Sequence, residues 1–326
     1  VLGSLGESLL GKLTEPNEIL NLDGINLFYR EKERKRVEGL VMQAEPSIDR
    51  RFPINATPSL EELGETSDII VVTIGREDQE SKRSREDLNG EYFEDIKQIM
   101  EGIGKSRATI FMATNPITPN CLAADRYSLQ ENPIVTGFTR MDRTRAKYII
   151  GEWMESEGCQ DVRNLGIDVD VLGPHGYNLL VTNLRIEGKK PIFTNEDLRN
   201  ELGFKDPSKT LERLCEEVAM YGRLAYSNTS PFGTPSLIAC PLVYSLSSIL
   251  NGGKDTAAIR VNLNEICSSK IEFPKRTYMG FPVIYSEGIP YIDPELDINK
   301  IPKQYRLELA TQLKKEIESN KILNLS

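Results

Sequence analysis

Two nearly continuous apolar runs limit what this chain can fold into. They are Thr66-Ser67-Asp68-Ile69-Ile70-Val71-Val72-Thr73-Ile74-Gly75 and the stretch from Arg107 to Ala113. A strand with polar residues at its ends and none in its middle is buried on both faces, which is the signature of the centre of a parallel sheet. Between the runs, a helix is expected from Arg85, with Leu88, Tyr92, Ile96, Ile99, Met100 and Ile103 at helical spacing. Strand, helix and strand in this order imply a doubly wound α/β sheet of the Rossmann type. Such sheets bind ligands at the carboxyl ends of their strands. The polar loop Arg76 to Ser84 and the turn Thr114-Asn115-Pro116 both fall at that edge.

Upstream, Val1-Leu2 has the character of a strand's tail, so the numbering is expected to begin a few residues into that strand. Gly3-Ser4-Leu5-Gly6 follows, leading into a helix from Glu7 to Leu13. Strand, glycine turn and helix open a phosphate-cradling unit, in which Gly3 and Gly6 let the backbone approach a pyrophosphate. Leu9 stands where a third glycine would fall, so an ordinary turn fits the stretch as well. The next strand is Ile25 to Tyr29. An acidic residue after this strand would accept ribose hydroxyls and an arginine a 2′-phosphate; here Arg30 follows. The charged run Glu31 to Arg36 also fits a solvated first helical turn. Gly75, closing its strand, joins Gly3, Gly6 and Arg30 as a candidate cofactor contact.

The second half is expected to be α+β. Pro133 to Phe138 is a short strand, and Asp142 opens a helix burying Ala146, Ile149, Ile150, Trp153 and Met154. Gly166 to Leu172 alternates like a strand and ends at Gly173-Pro174-His175-Gly176. Alternating segments near Leu179 to Ile186 come next, then a long helix from about Ser208 to Tyr226. An apolar segment through Ile249 contains Pro241, which should kink any helix. Phe281 to Tyr285 is strand-like, and a terminal helix from Lys303 to Ser319 should bury Leu309, Leu313 and Ile317. The expected division is residues 1–133 for nucleotide and 134–326 for substrate.

Composition removes several classes. The five cysteines are scattered without ligand spacing, which argues against a zinc site and for reduced thiols in a cytoplasmic protein. No apolar run is long enough to cross a bilayer. A net charge of −9 disfavours nucleic-acid binding.

His175 is the one histidine in 326 residues, and imidazole is the side chain suited to proton exchange near neutral pH. If the chain does imidazole chemistry, it does so at one place. Asp142 and Arg145 are three apart and share a face of a first helical turn, an arrangement that many helix N-termini also show.

In order, these landmarks resemble the lactate/malate dehydrogenase family over nearly the whole chain: the Gly3/Gly6 turn, the strand to Gly75, Arg85, Thr114-Asn115-Pro116, Asp142 with Arg145, and His175-Gly176. Arg30 and Val37-Glu38-Gly39-Leu40 look most like the archaeal malate dehydrogenase branch. The resemblance implies hydride transfer between NAD or NADP and an L-2-hydroxy acid. It makes His175 the base that takes the hydroxyl proton and Asp142 the group that fixes its tautomer. Arg145 becomes the clamp on the substrate carboxylate and Arg85 a loop arginine polarising the C2 oxygen. Asn115 would contact both substrate and nicotinamide amide. No metal is called for, and a homodimer or homotetramer is expected.

Several positions depart from the family pattern. Tyr177-Asn178 stands where an aspartate and a serine usually follow, and Pro174 replaces a glutamate. The loop Glu80-Ser81-Lys82-Arg83-Ser84-Arg85 lacks a Pro-Gly pair and is one residue longer. The position that sorts substrates in that family is Gln79, the lactate-like choice, whereas branch resemblance places malate/oxaloacetate slightly ahead of lactate/pyruvate. The rival reading is a non-catalytic, nucleotide-binding relative of the same fold, since a fold does not guarantee activity. A nicotinamide-dependent glycosidase is disfavoured, because it needs a metal-binding cysteine/histidine set.

Overall fold

A computed structural model describes residues 4–15, 20–48, 52–74, 85–175, 179–228, 235–261 and 277–319. Along the chain run α1 (Ser4–Thr14), β1 (Ile25–Phe28), α2 (Arg34–Ile48), β2 (Ile54–Thr57), α3 (Leu60–Thr66), β3 (Ile69–Val72), α4 (Arg85–Gly102), β4 (Thr109–Met112), α5 (Ile117–Tyr127) and β5 (Val135–Phe138). There follow α6 (Arg140–Ser156), β6 (Ile167–Leu172), β7 (Leu180–Ile186), α7 (Asn195–Leu202), α8 (Leu211–Asn228), α9 (Pro235–Asn251), β8 (Gly253–Val261), β9 (Thr277–Ser286), β10 (Ile289–Ile292) and α10 (Lys303–Ser319). The chain forms two compact units: Val1–Phe138 with Thr229–Gly253 and Ile284–Tyr291, and Thr139–Asn228 with Lys254–Val283 and Ile292–Ser326. Among the described residues, no helix is long and apolar enough to cross a membrane.

In the first unit, β3, β4 and β5 lie side by side and parallel, with Ile70 opposite Ile110 and Ile110 opposite Val135. Every residue of β4 is buried, as its unbroken apolar run requires, and so is every residue of β5. In β3, whose run is as apolar, only the alternate residues Ile70 and Val72 are buried, and Ile69 and Val71 are half-buried. Phe111 of β4 meets Phe138 of β5 edge to face, with ring centroids 6.3 Å apart. On α4, Ile96 and Met100 are buried and Ile103 just beyond is too, as the helical spacing requires; Phe93 joins them. β1 and β2 form a second parallel pair, covered by a cluster of Leu10, Leu27, Tyr29, Val37, Ala44 and Ile54. Gly64 allows α3 to seat against the turn after α4, where a Cβ would stand 2.4 Å from the Ile103 carbonyl oxygen.

The second unit is built on the antiparallel pair β6–β7, in register Ile167 with Ile186 and Leu172 with Leu180. Its inner face carries Val169, Val171, Val181, Leu184 and Ile186. These pack against Ala146, Ile149, Ile150, Trp153 and Met154 of α6 and Leu211, Leu214 and Val218 of α8. Each valine, leucine, isoleucine or methionine among them contributes about 1.5–3 kcal/mol on leaving water. The amphipathic stripe of α6 is therefore the one expected from its spacing. Lys209, itself buried, donates to Ser156 Oγ (2.6 Å), to Glu157 (2.9 Å) and to the Trp153 carbonyl (3.2 Å). A cation at this end satisfies the last carbonyls of α6.

Local details differ from the sequence pattern. The β1 strand stops at Phe28, and Glu31–Glu33 forms a 3₁₀ turn before α2. The α9 helix runs through Pro241 instead of ending there. In α10 Leu309 is buried, while the side chains of Leu313 and Ile317, like those of Leu88 and Tyr92 in α4, lie outside the described set.

Candidate active site

The first turn of α6 carries the charged residues around which the second unit's site is built. Thr139 precedes the helix, and its carbonyl accepts from the Asp142 N–H at 3.1 Å. Helical spacing then turns Arg140 and Arg143 away from Asp142, and each is tied down. Arg140 Nη1 donates to the buried Asp255 of β8 at 2.9 Å. Arg143 Nε donates to Asp168 of β6 at 3.1 Å. This leaves Asp142 pointing inward with its side chain 3 % exposed.

The imidazole reaches Asp142 from the end of β6. Gly173 has φ of 114°, a conformation strained for any side chain but not for glycine. It exchanges both backbone hydrogen bonds with Gly280 of β9, at 3.0 and 2.8 Å. Pro174 is buried, and His175 is placed with Nδ1 2.7 Å from Asp142 Oδ2. The other oxygen, Oδ1, accepts from Arg145 Nη1 at 3.1 Å. One carboxylate thus joins the sole imidazole to a guanidinium. A carboxylate can only accept, so Nδ1 carries the proton in the neutral ring and Nε2 offers its lone pair. Nε2 and the remaining guanidinium hydrogens of Arg145 have no partner among the described residues. This unit therefore presents a base beside a two-pronged cation, both about one-sixth exposed or less.

A second polar network supports the first. Arg185 of β7 donates to Asp168 Oδ2 (2.8 Å) and to both oxygens of Asp170 (3.0 and 2.8 Å), and Asn183 Nδ2 reaches Asp170 Oδ2 at 2.7 Å. Burial pushes the Asp168 carboxyl up, but hydrogen bonds from Arg185 and the charge and bonds of Arg143 outweigh it, holding it at about 2. Burial lowers the neighbouring Lys147 ammonium, and the nearby arginines lower it further against the pull of Asp168. The sequence pattern did not single out this network. Its trace was there in two acidic residues at alternate positions of β6 and an arginine at the paired position of β7.

The other candidates belong to the first unit. Asn115 is exposed just after β4, joined to Pro116 by a cis bond. Thr114 Oγ1 donates to the Val72 carbonyl at 3.1 Å, clasping the carboxyl ends of β3 and β4 together. Gly6 lies within the first turn of α1, and Leu9, at the place of a third glycine, is a buried core residue. Arg30 Nη2 is paired with Asp95 of α4 at 2.7 Å. Arg85 is the first residue of α4; its side chain is outside the described set, as are Gly3, Gly75 and Gln79 entirely. A parallel sheet whose clasped carboxyl edge presents Asn115, with a glycine in the first turn of α1, fits a dinucleotide. Among the described residues, no group of three or more His, Cys, Asp or Glu side chains is placed to hold a metal ion.

No family model matches the chain, and no curated protein does. Solved structures do. A malate dehydrogenase from Naegleria fowleri superposes with a TM-score of 0.75 at 16% identity, covering 99% of this chain and 95% of that one. A lactate dehydrogenase from a Medee basin deep-sea metagenome gives 0.72 at 20% identity, covering 98% and 96%. A lactate dehydrogenase from Eimeria maxima, solved with NADH and oxamate, gives 0.72 at 16% identity, covering 99% and 93%. At these identities the likeness establishes the fold. The α/β architecture expected from the apolar runs is the one that lactate and malate dehydrogenases share.

Proposed function

We propose that the chain is a nicotinamide-dependent L-2-hydroxyacid dehydrogenase, reducing a 2-oxo acid and oxidising the corresponding 2-hydroxy acid. The observation that carries this reading is the joining of His175, Asp142 and Arg145 in one unit of a dehydrogenase-like fold. Arg145 binds the substrate carboxylate through the guanidinium hydrogens that Asp142 leaves over. His175 Nε2 takes the hydroxyl proton during oxidation, and in reduction the imidazolium returns it to the C2 oxygen. Asp142 keeps Nδ1 protonated and stabilises the imidazolium once it forms. NAD(H) or NADP(H), when bound, supplies the hydride acceptor or donor. Within residues 1–133, Gly3, Gly6 and Gly75 would hold its phosphates and Asn115 its amide, and Arg30 would serve the ribose end. Arg85 polarises the carbonyl. Arg30 is already paired with Asp95, which favours modest discrimination between the two nucleotides.

Malate/oxaloacetate is proposed ahead of lactate/pyruvate on resemblance to the archaeal malate branch, and a cytoplasmic homodimer or homotetramer as the working form. Purified protein assayed with NADH and NADPH against oxaloacetate and pyruvate tests the reading. Turnover fastest with oxaloacetate supports it in full, and turnover only with pyruvate reverses the substrate order. If none of the four pairs turns over while NADH still binds, the non-catalytic relative is the better description.

A further inference from the structure

We infer that Gly280 is a positioning residue for His175, setting the spacing between the imidazole turn and the helix that carries its carboxylate. This rests on the reading of His175 and Asp142 as the proton-transfer pair. Gly280 lies within β9, and among the described residues its backbone forms the one bridge that ties down Gly173, two residues before His175. A Cβ at Gly280 would stand 2.9 Å from the Gly173 carbonyl oxygen, closer than real side chains come. The same Cβ would lie 3.4 Å from Thr139 Oγ1 and 3.7 Å from Thr139 Cβ. Thr139 in turn anchors the Asp142 N–H through its carbonyl. Three segments therefore meet at one glycine: the turn bearing the base, the start of the helix bearing the carboxylate and substrate clamp, and the strand wedged behind both. Thr139 is 2 % exposed, and its hydroxyl has no partner among the described residues. Among the described residues, the contact between Gly280 and the two segments is therefore held by shape and by the two Gly173–Gly280 backbone hydrogen bonds, with no bond from the Thr139 hydroxyl to absorb a shift. A methyl group at Gly280 cannot displace a flexible side-chain tip. It must push the Gly173 peptide away, and the imidazole moves with it.

The sole histidine makes the test direct, because ¹⁵N-histidine labelling of the full chain reports only His175. In the unsubstituted protein, at a pH where the ring is neutral, the ring shifts should show a single tautomer protonated on Nδ1. Asp142→Asn, which removes that preference, calibrates the signal. Gly280→Ala should displace the ring shifts toward a tautomer mixture and lower kcat about tenfold or more, with KM for the oxo acid changing less than kcat. Val283→Ala, a cavity in the same strand at a fully buried residue, should lower Tm without moving the ring shifts. Should Gly280→Ala fail to fold, Thr139→Ala loosens the same junction from the helix side and should broaden or shift the same signals. Unchanged ring shifts in the folded variant used, or an equal displacement in Val283→Ala, would overturn the inference. The tautomer readout needs no turnover. Unperturbed shifts in an active enzyme therefore reject the positioning role alone, and absent turnover with perturbed shifts rejects the dehydrogenase reading alone.

Discussion

His175 Nδ1 lies 2.7 Å from Asp142 Oδ2 across 33 positions of sequence, with both residues in one compact unit. The contact fixes which ring nitrogen is free to act as a base. Asp142→Asn replaces an obligate acceptor with an amide that can also donate, and so releases the tautomer. His175→Asn should lower kcat about a hundredfold or more, and Asp142→Asn should cause a loss of the same order. The double variant should be little worse than either single one, because groups acting as a unit are not additive. Steady-state kinetics on the three variants, with nucleotide affinity as a control expected to hold, checks this.

Arg145 has one donor on Asp142 and, among the described residues, no partner for the rest. Lysine at this position keeps the charge and loses the fork that fits two carboxylate oxygens. Arg145→Lys should lower kcat/KM for the oxo acid by about a hundredfold, equivalent to about 2.7 kcal/mol. NADH affinity should be unaffected. An equal loss in both would place Arg145 in a structural role.

These two predictions rest on the part of the site that was legible in the sequence. The single histidine, and an aspartate and arginine three apart, could be named because their chemistry and helical period are local properties. Strand β4 was legible for a similar reason, since burial on both faces leaves an unbroken apolar run; β3 carries such a run too, although only its alternate residues Ile70 and Val72 are buried. What the sequence withheld is non-local. Nothing near Gly280 marks it as the neighbour of Gly173, because a close backbone approach leaves no pattern beyond a glycine in a strand. Likewise Arg30 reads as an open cation, and its partner Asp95 sits 65 positions away on another element. The passage of α9 through Pro241 runs against local propensity, which tertiary packing overrides.

Acid should weaken the second unit through Asp168. Its carboxyl is held at about 2 against an ordinary value of 3.8. A depressed acid contributes its stability above the unfolded value and loses it as pH falls toward the folded one. The contribution is therefore full above about 4 and disappears by about 2. Partial exposure limits it to about 1 kcal/mol. Urea unfolding followed down through that window should show a shallower pH dependence in Asp168→Asn than in the unsubstituted protein. Equal slopes would mean the Arg143–Asp168–Arg185 contacts add no proton-linked stability.

Thiol reactivity should divide by depth. Cys159 and Cys240 are exposed, Cys121 is buried, and burial pushes the Cys215 thiol up to about 12. Reaction requires the thiolate. A disulfide reagent at neutral pH should therefore label Cys159 and Cys240 rapidly, and Cys121 and Cys215 only on unfolding. Peptide mapping after brief labelling reads this directly, and early modification of Cys215 would contradict the burial.

The irregularity in register between Asp168 and Asp170, opposite Asn183 with its φ of 46°, has a bearing on how this protein can change. Side chains alternate faces along a strand, so losing or gaining one residue between Leu180 and Arg185 would send Val181 or Leu184 to the wrong side and leave Asp170 without its guanidinium. Variation in length must therefore be borne outside these strands, while substitutions within them stay confined by face.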